Sequence, residues 1–348
     1  MSPTDDLRRV LCLRLRSMGD TVLMTPALAA LRSALPNAEL CVVLVEELAD
    51  LFEDQPLVDQ VLPLGSRLVD KLALGARLRR AGFDAVINFH GGPTSAWLTA
   101  ASGAPVRVGE DSYQFRSLYN VRAKPAAEVF SEPSATHTVH RQAALVAALR
   151  LPVSDLSLHL KVPERARSSL AIRLEKLRLG KDYVVVQPTA SFRTKEWSPQ
   201  RFVQLVQRLR ERTGAPFVVS LPAGSSLLET FSPEFPVLSG LPHGELIALL
   251  DGARLYVGND GGPMHIAAAL GTPVVAIFGS SDPKSWYPWR VPHRTLWAGL
   301  DCSPCHGKWC ANPNQLACLE EISVDSVLEA TQSLLSDIAL HAHSAHAH

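Results

Sequence analysis

The sequence has no surplus of charge of either sign, since 34 Lys and Arg balance 34 Asp and Glu. Proteins that grip nucleic acid carry a basic excess or a basic stripe, and this pattern shows neither. Aromatic residues make up only 6% of the chain, too few for the stacking platforms that single strands require, so no nucleic-acid partner is expected. Long apolar runs are missing as well. Leu40–Val45 and Pro273–Phe278 are strand length, far short of the about 20 residues of a membrane span. The opening MSPTDDLRRV has acidic residues and no apolar stretch of its own, unlike a secretory signal. These absences point to a cytoplasmic protein and leave transient contact with a membrane surface open.

What is present suits two α/β domains. A chain of 348 residues is too long for one ordinary core, and its 47% hydrophobic content is enough for two. In the first half, Arg9–Leu15, Leu40–Val45, Gln60–Leu64, Ala85–Phe89 and Arg107–Gly109 read as strands. Helical spacing runs over Ala27–Leu35, Ala73–Ala81 and His140–Leu149. A helix over Glu164–Leu177 then leads to the stop signal Gly180. A second alternation follows, with strands at Tyr183–Gln187, Phe217–Leu221, Leu255–Val257 and Val274–Phe278. Its helices are Pro199–Thr213, Gly244–Leu250, Met264–Leu270 and Val324–Ile338. Fully apolar strands belong in buried parallel sheets, so the alternation predicts an α/β protein with doubly wound sheets. The predicted domains are 1–162 and 163–323, followed by a last helix over 324–338 and a disordered His/Ala tail over 339–348. Ligands in such sheets bind at the carboxyl ends of strands, and between two domains the cleft is the expected site.

Three segments carry candidate chemistry. The first runs from Arg14 through Gly19, Asp20 and Thr21 to Thr25-Pro26, just after the first strand. Gly19 permits a tight turn or close backbone approach to a ligand. Asp20 suits two roles, a helix N-cap and a general base that takes a proton from a hydroxyl. The second is Pro188-Thr189-Ala190-Ser191 followed by Lys195-Glu196-Trp197. Small and hydroxyl residues after a strand can wrap a phosphate through backbone N–H groups. Lys195 is either a solvated cation or the charge that neutralises a diphosphate. The third is Gly258-Asn259-Asp260-Gly261-Gly262-Pro263-Met264-His265, continuing into an alanine-rich helix and Gly271-Thr272-Pro273. A glycine turn that opens a helix offers free N–H groups and a positive dipole end to a diphosphate. His265 fits this loop or a plain buried helix position. His90, in the turn His90-Gly91-Gly92 after another strand, reads as part of an ordinary strand-to-loop turn or, like Gly19, as a contact for a ligand in the cleft.

Taken in order, these segments resemble glycosyltransferase family 9, the lipopolysaccharide heptosyltransferases, over about Arg9 to Val327. The resemblance implies a GT-B fold: two facing Rossmann-like domains with a central cleft, acceptor in the first domain and nucleotide-sugar in the second. It implies that the last helix crosses back toward the first domain. It further implies an inverting, metal-independent transfer of heptose from ADP-heptose to a glycolipid acceptor of the lipopolysaccharide core, at the inner face of the inner membrane. Asp20 matches the family's base and Lys195 the residue that holds the donor phosphates. Asp260, Gly261, Gly262 and His265 match the donor loop, and Thr189 and Ser191 the phosphate-side loop. No cofactor is required for this chemistry. The ribose-binding Glu of many members has no clear counterpart, the nearest being Glu229, so another nucleotide-sugar or acceptor is the alternative. A non-catalytic nucleotide-sugar-binding protein is a further one. Arg116 and Arg122 are either solvated arginines or basic residues that an anionic acceptor could meet.

Cysteine is unevenly spread. Cys12 and Cys41 sit in apolar runs as small hydrophobes. Cys302, Cys305, Cys310 and Cys318 form a cluster that reads as a structural zinc or iron–sulfur site, a redox-sensitive disulfide or free thiols.

Overall fold

The computed structural model describes residues 7–232 and 234–345. It divides into two compact units, Met1–Lys161 and Val162–His348. In the first unit the elements are β1 (Arg9–Leu13), α1 (Met18–Leu23), α2 (Thr25–Ala34), β2 (Glu39–Val45), β3 (Gln60–Leu64) and α3 (Leu68–Ala81). They continue with β4 (Ala85–Asn88), α4 (Pro93–Ser102), β5 (Val106–Glu110), β6 (Val121–Ala123), α5 (Ala126–Val129) and α6 (Thr138–Ala147). The second unit holds α7 (Glu164–Lys176), β7 (Tyr183–Gln187), α8 (Pro199–Thr213), β8 (Phe217–Leu221), α9 (Leu228–Phe231), β9 (Val237–Ser239) and α10 (His243–Asp251). It ends with β10 (Ala253–Asn259), α11 (Gly262–Ala269), β11 (Val274–Phe278), α12 (Pro283–Trp286), β12 (His293–Trp297), α13 (Ala317–Glu320) and α14 (Val324–Ala345).

Each unit contains one six-stranded sheet, ordered β3-β2-β1-β4-β5-β6 in the first and β12-β11-β10-β7-β8-β9 in the second. Every pairing is parallel. Numbered within its own unit, the second sheet repeats the order of the first, the Rossmann arrangement. Its order reverses between β1 and β4 in one unit and between β7 and β10 in the other. Loops on the two sides of that reversal leave a crevice at the carboxyl edge of the strands.

Alternation along the strands builds a core on each side of a sheet. In β1, Val10 and Cys12 join the cluster with Leu28, Leu31, Val42 and Ile87. Leu11 and Leu13 point the other way, to Leu74, Leu78, Val86 and Leu98. Cys12 and Cys41 are fully buried, and burial raises both thiols, Cys41 to about 12. In the second unit, Val186, Phe202, Leu205, Val257 and Ile277 share a core with Val327, Leu328, Leu334 and Leu335.

The edge strands β6, β9 and β12 were not legible as strands. Their runs VRA, VLS and HRTLW are short or part-polar, because an edge strand lacks a neighbour on one side. Helix α4 also escaped notice, although Pro93 at its start and Gly103 (φ +64°) at its end are standard signals. Helix α14 runs to Ala345, past the predicted end at Ile338, so much of the expected disordered tail is helical. Residues 346–348 lie outside the described residues. The buried side chains of α14 pack in the second unit, against α8, β11 and β12. Among the described residues, no helix is long and apolar enough to cross a membrane.

Candidate functional site

In the first unit the candidate residues gather at the carboxyl edge, around the reversal between β1 and β4. Arg14 follows β1 directly and is 8% exposed. Its guanidinium donates to the Phe89 carbonyl at the end of β4 and forms an ion pair with Asp20. One side chain thus ties the two central strand ends to the carboxylate. The Ser17 hydroxyl donates to the same Asp20 oxygen at 3.0 Å. Ser17, and not Asp20, is the N-cap of α1, because the helix begins at Met18 and leaves Asp20 in its first turn. Gly19 is buried within that turn. The Asp20 side chain retains 25% exposure, enough to meet a ligand while two donors fix its orientation. From α6, Gln142 Nε2 donates to the Asp20 carbonyl at 3.1 Å, anchoring the base of the turn.

His90 stands next to this group. Burial, then the charges of Arg14 and Arg16, lower its pKa from 6.5 to about 4, outweighing a backbone hydrogen bond with Arg16 and the field of Asp20. It is therefore neutral at neutral pH. Its loop is held by Asn88, whose Oδ1 accepts the His90 and Gly91 N–H groups at 2.9 and 3.0 Å. The same Asn88 donates to Tyr119 Oη at 2.7 Å. A cavity of about 520 Å³ opens on this unit, lined by Glu110, Lys124, Thr136 and Arg141 among others. Arg141 pairs with Glu110 at 3.1 Å, and Asp20 lies close enough for its field to reach Arg141. Arg122 pairs with Asp111 at 3.4 Å, while Arg116 lies in a short 3₁₀ turn.

In the second unit, Lys195 and Asp260, 65 residues apart, meet at the reversal between β7 and β10. Lys195 Nζ donates to Asp260 Oδ2 at 2.7 Å. Asp260 is 2% exposed, so the lysine is held by a carboxylate that has almost no contact with solvent. The lysine side chain keeps 24% exposure. The loop that carries it is latched from several sides. Asn259 Oδ1 accepts the Trp197 N–H at 3.0 Å, and Asn259 Nδ2 donates to the Pro188 carbonyl at 2.8 Å. Glu196 Oε1 accepts the Ala190 N–H at 3.0 Å. Thr189 accepts from Gln187 at 2.7 Å, and Ser191 is exposed two residues further along.

Two glycines here have different reasons. A Cβ at Gly258 would stand 2.7 Å from the Gln187 carbonyl, so the close packing of β10 on β7 demands glycine. A Cβ at Gly261 would meet nothing closer than 3.8 Å, and its backbone is extended. The protein's own packing does not call for glycine at 261. Gly261 is the N-cap of α11 and makes no side-chain hydrogen bond, and the first-turn N–H groups of a helix have no partner within the helix itself. His265 lies in that turn and is 3% exposed.

The residues that sequence reasoning missed are supports. Arg14 had no assigned role. Thr194, Gly279 and Ser280 also went unread: Ser280 N donates to the Thr194 carbonyl at 3.1 Å, and a Cβ at Gly279 would stand 2.3 Å from that carbonyl. The signal was the small-residue turn Gly279-Ser280-Ser281 after the apolar β11. Glu229 lies exposed on α9, beyond the end of β8. Cys302, Cys305, Cys310 and Cys318 are free thiols, and burial with the fields of the other three raises Cys318. Among the described residues, no group of three or more His, Cys, Asp or Glu side chains is arranged to hold a metal ion.

The chain is similar in sequence and in fold to known proteins. Lipopolysaccharide heptosyltransferase 3 of Escherichia coli (strain K12) is 27% identical over 345 residues, covering 93% of this chain and 97% of that protein. A solved glycosyl transferase family 9 protein from Veillonella parvula DSM 2008 superposes with a TM-score of 0.78 at 22% identity, covering 97% of this chain and 99% of that one. The E. coli ADP-heptose lps heptosyltransferase II superposes with a TM-score of 0.75 at 22% identity, over 94% of this chain and 99% of that one. Residues 71–316 match the model of glycosyltransferase family 9 (heptosyltransferase). The chain belongs to glycosyltransferase family 9 and is a glycosyltransferase with the GT-B fold.

Proposed function

We propose that this enzyme transfers heptose from ADP-heptose to an acceptor of the lipopolysaccharide core, with inversion at the anomeric carbon and no metal in the chemistry. The observation that carries the donor side is the Lys195–Asp260 pair beside the uncapped start of α11, with an unobstructed glycine at 261. Such a place suits a diphosphate: a cation, first-turn N–H groups and a positive dipole end converge on it. Asp260 would position the lysine, while Gly261 and Gly262 would let the phosphates approach the backbone. Thr189, Ser191 and His265 would complete the donor loop. The relatives support the choice of sugar and nucleotide, one being an ADP-heptose heptosyltransferase and another acting in lipopolysaccharide synthesis by name.

In this reading Asp20 is the general base. It accepts the proton of the acceptor hydroxyl as that oxygen attacks the anomeric carbon. The bond from the anomeric carbon to the diphosphate breaks on the opposite side, and ADP leaves with the electron pair. Lys195 and the N–H groups of α11 would stabilise the charge that grows on the leaving diphosphate. Arg14 would keep the carboxylate aimed, and neutral His90 would contact the acceptor or donor. The cavity beside Lys124 and Arg141 is where the acceptor would extend. The reaction would take place on the cytoplasmic side of the inner membrane.

Calorimetry with ADP, UDP, GDP and ADP-heptose tests the donor, on wild type and on Lys195→Ala. The expected result is selective binding of ADP and ADP-heptose that the variant loses. Preference for UDP or GDP would overturn the heptose assignment and keep the enzyme class. Absence of binding to any nucleotide would overturn the catalytic reading.

A further inference from the structure

We infer that the outward face of α3, together with Trp97 of α4, is a docking surface for an anionic lipid bilayer. The starting observation is an inversion of the usual pattern. A surface helix turns apolar residues inward and polar ones to solvent. Helix α3 does bury Leu74 and Leu78, yet Leu68 is 72% exposed, Val69 59% and Leu72 52%. Ala73 and Ala76 are exposed on the same side. Trp97, 40% exposed, adjoins them. A Cβ at Gly75 would stand 2.5 Å from the Trp97 ring, so the indole lies across α3 one turn beyond Leu72. Scattered apolar residues on a surface need no explanation, but a contiguous set of three aliphatics and an indole marks an interaction face.

Charge indicates the partner. Lys71, Arg77, Arg79 and Arg80 stand on α3 against a single acid, Asp70. Asp70 is taken up by Arg67, which donates to it from Nε at 3.0 Å and from Nη2 at 2.8 Å. The chain as a whole carries no net charge, so this helix concentrates positive charge that is balanced elsewhere. Arginines in a last turn also suit the helix dipole, which accounts for the charge but not for the aliphatics in the first turns. An apolar stretch followed by exposed arginines on one face is the design of a helix that lies in a bilayer surface. The aliphatics and indole enter the acyl boundary and the guanidinium groups meet lipid phosphates. A second copy of this chain fits less well, since a two-fold contact across this face would bring like-charged arginines together.

Position in the fold gives the surface a use. Leu68 begins α3 four residues after β3 ends at Leu64. In a parallel sheet the following helix starts at the carboxyl edge, so the apolar end of the patch lies at the same edge of the sheet as Asp20 and His90. A bilayer seated there would stand beside the residues at the β1–β4 reversal.

The test uses the full chain and vesicles that contain no sugar acceptor, so it does not depend on the reaction proposed above. Vesicles of phosphatidylcholine with about one third phosphatidylglycerol are compared with pure phosphatidylcholine by cosedimentation. Wild type is expected to bind the anionic vesicles and to release them at high salt. The triple variant Leu68→Ser/Val69→Ser/Leu72→Ser and the double variant Arg77→Glu/Arg80→Glu are each expected to bind about tenfold more weakly or worse. All five sites are exposed, and unchanged melting temperature and ADP binding confirm that the variants are folded. Equal binding by wild type and both variants overturns the proposal, as does failure of wild type to bind anionic vesicles. A wild-type dimer in solution that the triple variant dissociates, without vesicle binding, would instead make this face a contact between copies.

Discussion

The two units share one strand order and place different chemistry at the same point of it. At the reversal of the first sheet stand a carboxylate, Asp20, a buried arginine that aims it, and an imidazole kept neutral. At the reversal of the second stand a lysine seated on a buried carboxylate and an uncapped helix start with an unobstructed glycine. In the function proposed above, the first edge would accept a proton and the second would hold an anion. The difference teaches that the sheet supplies only the location, and that a few loop residues decide what the location does.

The widest gap between the units should appear when each central residue is removed. Asp20→Ala is expected to lower turnover about 1,000-fold while ADP affinity stays at the wild-type value. Near-normal turnover in that variant would break the assignment of roles to the two edges. Lys195→Ala is expected to weaken ADP binding about tenfold to a hundredfold, measured by calorimetry. It should also lower stability by about 3 kcal/mol, because Asp260 is left with little solvent and without its cation. Lys195→Met/Asp260→Asn should recover most of that stability and none of the ADP binding. Recovery of both would mean that the pair is only a structural ion pair.

Smaller changes sharpen the comparison within the second edge. Gly261→Ala is expected to leave the melting temperature unchanged and to weaken ADP binding about tenfold, since the methyl group occupies space that only a ligand would use. Gly258→Ala should do the reverse, destabilising the fold through its clash with the Gln187 carbonyl. If both variants lose stability alike, the distinction between a packing glycine and a ligand glycine fails.

The smallest effect concerns His90 and pH. Its folded pKa, near 4, lies below the ordinary 6.5. Between those values the unfolded chain binds a proton that the folded chain does not, so stability falls as the pH is lowered through this window. The contribution is complete above about pH 6.5 and is lost toward pH 4. His90→Gln should flatten the melting temperature across that range, and titration of the imidazole by NMR should show no protonation above pH 6. A midpoint near 6.5 would place His90 in water and away from Arg14 and Arg16.

Much of the architecture was legible beforehand because central strands of a parallel sheet are apolar on both faces. Runs such as LCVVLV and VVAIF have no other good location. Glycine turns after strands marked the loops around Asp20 and Asp260 for the same local reason. Of the edge strands, β3 was legible at Gln60–Leu64, whereas β6, β9 and β12 were not, because a strand with one neighbour tolerates short, part-polar runs. The supports were hidden for a different reason. Arg14 reads as one more arginine until β4 is placed beside β1, and Thr194 has no visible task until Gly279 lets β11's loop close on it.

The amino-acid sequence by itself determined the central strands and most of the longer helices, their alternation, the division into two domains' worth of core and the order of the three motifs. All of these depend on residues within a turn or two of one another. Only the tertiary structure decided which residues meet: Lys195 with Asp260, Arg14 with both Asp20 and the end of β4, Trp97 with Gly75 beneath it. Those meetings follow from strand order and from which face of a helix is covered. They arise when distant segments compete to bury apolar area, and no local periodicity records the outcome.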